Sequence, residues 1–164
     1  MKVRNLVAIA GVAFALSLMS GCSSSTPEQR DTGGQITGAG NVDAFSLHVG
    51  DCLISSALQD TFQDVPGVPC TEGHDSEVIY IFDMPDGTYD ETAIDDAAQD
   101  ACAQGIVDYV GPNYASLTSQ GLDWSYFSPS QDSWNQRNDR EVDCVAYTVS
   151  EENELTSSVK GMGD

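Results

Sequence analysis

The stretch EVIYIFDMPDGTYDETAIDDAAQDACAQGIVDYVGP, residues 77–112, changes its hydrophobic period once, and that change decides the fold. After Glu77 the run is apolar to Phe82. As a strand it points Val78, Tyr80 and Phe82 one way and Ile79 and Ile81 the other, and a strand apolar on both faces is one the fold covers on both sides. Met84, Pro85, Asp86 and Gly87 then supply a turn. Thr88 and Glu91 have the spacing of a capping box. From Glu91 to Val110 the positions Ile94, Ala97, Ala98, Ala101, Cys102, Gly105, Ile106 and Tyr109 recur with helical period. Asp95, Asp96, Gln99, Asp100, Gln104 and Asp108 lie opposite them. Gly111 and Pro112 stop the helix, which carries Cys102 on its buried face.

The flanks extend this strand–helix unit. Phe45, Leu47 and Val49 alternate as one face of a strand. Gly50 breaks the phase, and Cys52 and Ile54 then turn inward. A loop leads to VPGVP at 65–69, whose prolines predict an edge or irregular segment. After the helix, one helical turn is expected near 115–119, a strand over 123–127, a polar turn, and a last strand over 140–149 with Cys144 near its middle. The expected architecture is α+β: a small antiparallel sheet packed against one main helix, with two disulfides.

The beginning of the chain specifies location. Lys2 and Arg4 precede an apolar stretch from Leu6 to Met19, too short for a spanning helix of about 20 residues but suited to a signal-peptide core. Leu18, Met19, Ser20, Gly21 and Cys22 then resemble a bacterial lipobox. Residues 1–21 are expected to be a lipoprotein signal peptide, with Cys22 the lipidated residue. The protein would then sit on the extracytoplasmic face of the cell membrane, anchored by lipid. Residues 23–41, rich in Ser, Thr, Pro and Gly, are expected to form a flexible tether reaching about 25 Å. The folded domain is expected over 42–149, with a frayed tail over 150–164.

Lipidation of Cys22 leaves Cys52, Cys70, Cys102 and Cys144, an even set in an oxidising compartment. They allow three pairings. The layout ranks Cys102–Cys144 with Cys52–Cys70 first, because Cys102 lies on the helix face that meets the sheet; crossed arrangements are the alternatives. No C-x-x-C spacing or close histidine pair signals zinc.

Beyond Cys22, 26 acidic side chains face four basic ones, Arg30, Arg137, Arg140 and Lys160, for a charge near −22. Such a surface repels phosphates, which argues against nucleic acid and against lying flat on anionic lipid. It suits a basic partner, divalent cations or a salty medium, and equally serves solubility.

Two clusters carry candidate binding residues. In CTEGHDSE, residues 70–77, an oxidised Cys70 excludes a thiolate nucleophile or zinc ligand. The reading is a staple: Cys70 closes the loop, His74 and Asp75 satisfy backbone groups where the strand starts, and Glu77 meets a cation. In SWNQRNDREVDC, residues 133–144, Arg140 is expected to pair with a carboxylate and to stack on Trp134, with Asp139 completing the corner. This corner serves either as a structural ion pair or as a pocket for a small anion or carboxylate. No EF-hand loop occurs. No metal and no cofactor is expected.

Several of these residues, in this order, resemble the septum-formation family of actinobacterial envelope proteins. They are Val49–Gly50–Asp51–Cys52, Val68–Pro69–Cys70 with His74 and Glu77–Val78 following, Cys102, Pro129, Trp134, Asp139–Arg140 and Cys144. Gly73 stands where the family pattern has Pro, and Asn138 where it has Gly. The resemblance implies an envelope location and a link to septum formation, and carries over no catalytic residue. The expected function is a non-enzymatic binding module for an envelope or division protein or a wall polymer, held to the membrane by its lipid. The alternatives are a wall-acting enzyme using Glu77, His74 and Asp139 as acid or base, or a cation-binding envelope protein.

Overall fold

The computed structural model describes residues 26–57, 63–149 and 154–164. The expected signal peptide over residues 1–21 and the expected lipidation site Cys22 lie outside the described residues. Among those described, no helix is long and apolar enough to cross a membrane.

The strands are β1 (Gln29–Arg30), β2 (Ile36–Gly38), β3 (Gly40–Asp43), β4 (Cys52–Leu53), β5 (Asp64–Val68), β6 (Ser76–Asp83), β7 (Leu122–Phe127) and β8 (Glu141–Thr148). The first two form a small ribbon. The others build one antiparallel sheet in the order β3-β5-β4-β6-β8-β7. Helix α1 (Glu91–Val110) crosses β6, β8 and β7. Two short helices, α2 (Tyr114–Thr118) and α3 (Gln131–Arg137), flank β7. This is the expected α+β sheet with one main helix.

The central pair is β6 with β8, running from Ser76 opposite Tyr147 to Asp83 opposite Glu141. On the α1 side, Ile79, Cys144 and Ala146 pack with Cys102, Ile106 and Val110. On the other side, Val78 and Val145 pack with Ile36, Val42, Leu53 and Val65. A bulge between Val78 and Tyr80 adds a residue to β6. The simple alternation therefore fails: Val78 does not share a face with Tyr80 and Phe82, which stack on each other at 6.0 Å. Tyr80 instead meets α1 at Gly105, where a Cβ would come within 2.9 Å of the tyrosine's own Cβ. Both disulfides take the first-ranked pairing, Cys52–Cys70 and Cys102–Cys144, with Cα separations of 5.2 and 5.3 Å.

Several local expectations are corrected. Asp90, not Thr88, caps α1: it directly precedes the first turn, and its carboxylate accepts from the Ala93 amide at 3.2 Å. Residues 45–49 form no strand. Their amides are drawn into turns, Phe45 donating to the Asp43 side chain and His48 to that of Asp51, so Leu47 is buried while Phe45 and Val49 are exposed. β5 is interior rather than an edge. Its Pro66 is tolerated because β4 pairs only with Gly67 and Val68, so the missing N–H falls beyond the ladder. The polar turn before β8 holds α3, opened by a reciprocal Ser130–Ser133 capping box. It closes at Asn138 in the left-handed conformation (φ 56°), which asparagine tolerates.

The tether and tail are corrected most. Residues 27–43 carry three strands, and Arg30 is bound to Asp51. At the other end Leu155 bridges to His74, and Val159 is fully buried against α1. The amides of Gly161 and Gly163 donate to the carbonyls of Tyr109 and Val110, satisfying acceptors that a helix C-terminus leaves open. Both segments are apolar-poor, and they are ordered by hydrogen bonds to distant backbone and side-chain groups together with the few apolar side chains that reach the core, Ile36 and Val159 among them.

Candidate functional site

Glu77 lies on the α1 face of β6 with no exposed surface. Its carboxylate accepts from Tyr109 Oη, Ser158 Oγ and the Val159 amide, each at 2.7 Å. Its partners are thus two hydroxyls and an amide, not the expected cation. Burial first, and then the hydrogen bond to Glu77, push the Tyr109 phenol well above its ordinary range. Glu77 clasps the C-terminal segment to the core.

His74 is 2% exposed. Its Nδ1 lies 2.8 Å from the Glu72 carbonyl, which can only accept, so Nδ1 donates. Nε2 has no hydrogen-bond partner. The His74 backbone exchanges both hydrogen bonds with Leu155. Asp75 behaves as expected for the start of a strand, accepting from the amides of Ser55 and Ser56 and from the hydroxyls of Ser55 and Ser76. Burial works to raise its pKa, but the hydrogen bonds from Ser56 and Ser55 together hold it below the ordinary value. Cys52, Cys70 and Glu77 converge, yet both sulfurs are spent in the disulfide and cannot ligate a metal as thiolates.

Trp134, Asp139 and Arg140 sit at the opposite end of the β6–β8 ladder, roughly 20 Å away by strand rise. The Arg140 guanidinium lies 3.8 Å from the Trp134 ring centroid. It donates to the carbonyls of Trp134 and Asp139 and to Asn138 Oδ1, and its Nε is 3.3 Å from the carboxylate of Asp86. The indole N–H donates to the Gly87 carbonyl at 2.9 Å. The stacking expected from sequence is present, and its carboxylate is Asp86 rather than Asp139. Its Nη donors are directed to these groups, while Nε meets Asp86 as an ion pair without a hydrogen bond; the guanidinium thus ties α3, β8 and the turn before α1 together.

Beside that corner, on the sheet face away from α1, opens a cavity of about 300 Å³. Phe45 and Phe127 form apolar wall, and Asp139, Glu141 and Asp143 supply carboxylates; Tyr126 borders the cavity only at the strand, its ring lying on the α1 face with its hydroxyl on Asp95. Asp143 stands in β8 between Val142 and Cys144, opposite Ile81 on one side and Phe127 on the other. It is 5% exposed, and its Oδ1 has no hydrogen-bond partner. Burial pushes its carboxyl up to about 8, helped by the charges of Glu141, Asp139, Asp51 and Asp83. Glu141 is also raised, by burial and then by Asp83 and Asp139. At neutral pH Asp143 is therefore mostly a protonated acid that ionises when a positive charge arrives.

Of the residues named from sequence, only Asp139 lines this cavity. Asp143 itself escaped notice, although its signal was present: an acid inside the inward run VDCVA of a last strand. Phe45, read as a core strand residue, is a wall of the cavity.

A family model described as septum formation matches residues 21–144. No curated protein and no solved structure matches the chain.

Proposed function

The chain belongs to the septum-formation family, and from that premise we propose that it is a lipid-anchored binding module of the cell envelope, acting in septum formation or wall organisation without catalysis of its own. Family membership supports the septum-related role. The lipobox ending at Cys22 supports attachment to the extracytoplasmic face of the membrane, and two disulfides suit an oxidising compartment. The observation that carries the binding reading is Asp143, whose buried Oδ1 has no hydrogen-bond partner, in the lining of an open cavity. Of the three acid–base candidates, Glu77 and His74 are buried in contacts with the chain's own C-terminal segment, while Asp139 lines the cavity.

The test is capture of envelope components by the full-length protein from its own membranes, compared with Cys22→Ser and with an unrelated lipoprotein. Recovery of septal or wall components by the wild type alone supports the proposal; a set identical to the control's overturns it. Lipid labelling that persists in Cys22→Ser removes the proposed anchor. A second reading, a wall-acting enzyme, draws on the raised Asp143 beside Glu141, a pair of carboxyls with different proton affinities. It predicts soluble fragments released from wall material, lost in Asp143→Asn.

A further inference from the structure

We propose that the cavity floored by Asp143 takes a primary ammonium group carried on an aliphatic stem, as on a lysine-like side chain of a peptide. This deepens the binding-module reading and rests on it. Three features of the cavity select that chemistry.

Asp143 has a buried oxygen without a partner, which marks a polar contact that the chain itself does not supply. The walls of Phe45 and Phe127 match a methylene stem, while Asp139, Glu141 and Asp143 match its charged tip. Phe45 already holds one cation, the Arg137 guanidinium at 4.9 Å from its centroid, so the rim accepts positive charge on an aromatic face.

Rival ligands fit worse. Calcium takes about six to eight oxygens at about 2.3–2.6 Å. Among the described residues, the one set of three ligating groups found converging is Cys52, Cys70 and Glu77, not these acids. A volume of about 300 Å³ instead suits a side-chain-sized organic group. A zwitterionic lipid headgroup would bring its phosphate within two carbons of the ammonium, against Asp139 and Glu141. A longer stem brings no such charge.

Binding has a proton balance. The ammonium keeps its proton, Asp143 loses one to solvent, and the product is a carboxylate–ammonium pair. The groups facing Asp143 are Glu141 and Asp139 from its own segment, Asp83 from β6, and Asp51, whose charge is matched by Arg30. Tyr126 and Phe127 of β7 and Ser130 and Ser133 of α3 bring no charge, while Arg140 is turned onto Trp134. Affinity should therefore fall about tenfold per pH unit below about 8.

The experiment is calorimetric titration of the full chain with Nα-acetyl-lysine amide and with n-pentylamine, beside N-pentylacetamide, phosphoethanolamine and calcium chloride. The expected result is binding of both amines at pH 8.5, at least about tenfold weaker to Asp143→Asn and weaker at pH 6.5. Equal binding of the acetamide overturns the proposal, as does tighter binding of phosphoethanolamine, calcium binding without amine binding, or no amine binding at millimolar concentration. Asp143→Asn preserves shape. Should it fail to fold, Glu141→Gln at the rim decides instead, with a severalfold loss expected and an unchanged affinity overturning. The titration requires neither lipid nor septum. Its failure leaves the septal role standing, and failure of envelope capture leaves the chemistry of the cavity standing.

Discussion

The guanidinium of Arg30 grips both carboxylate oxygens of Asp51, at 2.6 and 2.8 Å, across 21 residues of chain. Asp51 is 1% exposed, directly precedes β4, and also accepts from the His48 amide. A bidentate pair to a buried carboxylate is among the stronger charge-assisted contacts, and losing one partner strands the other. Through this pair a segment with the composition of a linker becomes part of the domain.

Arg30→Met should destabilise the protein by about 3 kcal/mol, because it leaves the Asp51 carboxylate buried and half-satisfied. Chemical denaturation checks the magnitude. Limited proteolysis should show new cleavage within residues 26–38; unchanged stability and cleavage would mean that the pair is ornamental.

Glu77→Gln should release the C-terminal segment. The amide replaces one acceptor with a donor, facing the Tyr109 and Ser158 hydroxyls and the Val159 amide. The expected cost is about 2–3 kcal/mol. Amide exchange should accelerate first at Val159, Gly161 and Gly163, whereas a uniform rise across the sheet would point to global weakening instead.

Asp143 sets a pH dependence whose sign can be worked out. Its folded pKa, about 8, is raised above the unfolded carboxyl value. The folded state therefore holds this proton more tightly. The stability this confers is complete below the unfolded pKa and is lost as pH rises toward about 8. Asp143→Asn removes the titration. Relative to wild type it should gain on the order of 5 kcal/mol at pH 8, and the gap should close toward pH 4. Urea melts of both proteins across that range provide the comparison, and a constant gap would refute the assignment.

Gly105→Val should cost about 1–3 kcal/mol, since the new Cβ meets the Tyr80 Cβ, an atom fixed to the β6 backbone. Gly87, where an added Cβ would meet nothing within 4 Å, is the internal control: Gly87→Ala should change stability little. Thermal melts of the two variants test whether helix-to-sheet distance is what Gly105 secures.

Much of the fold was legible because its signals are local. The period of residues 91–110 marked α1 to the residue, and Gly111 (φ 117°) ends it. The turn residues at 84–87 and the apolar runs marked β6, β7 and β8. The cysteine on the helix face and the one on the last strand made the first-ranked of three pairings, which is the one that forms. Less was legible at the site. Trp134 and Arg140 could be paired because they lie six residues apart, yet whether that corner was a pocket or a clamp depended on where Gly87 and Asp86 came to rest. Alternation alone misled at residues 45–49, where side-chain acceptors at Asp43 and Asp51 outcompeted a ladder for the backbone amides.

By itself the sequence determined the strand–helix–strand order, the acidic composition and the placing of Cys102 on a helix face and Cys144 on the last strand, since composition, period and caps act between residues close along the chain. Tertiary structure alone decided that Arg30 finds Asp51, that the tail caps α1, that β6 bulges at Ile79, and that Asp143 is buried among like charges. Each depends on which groups face one another across the sheet, and the free energy of a buried charge is set by those neighbours rather than by its place in the chain.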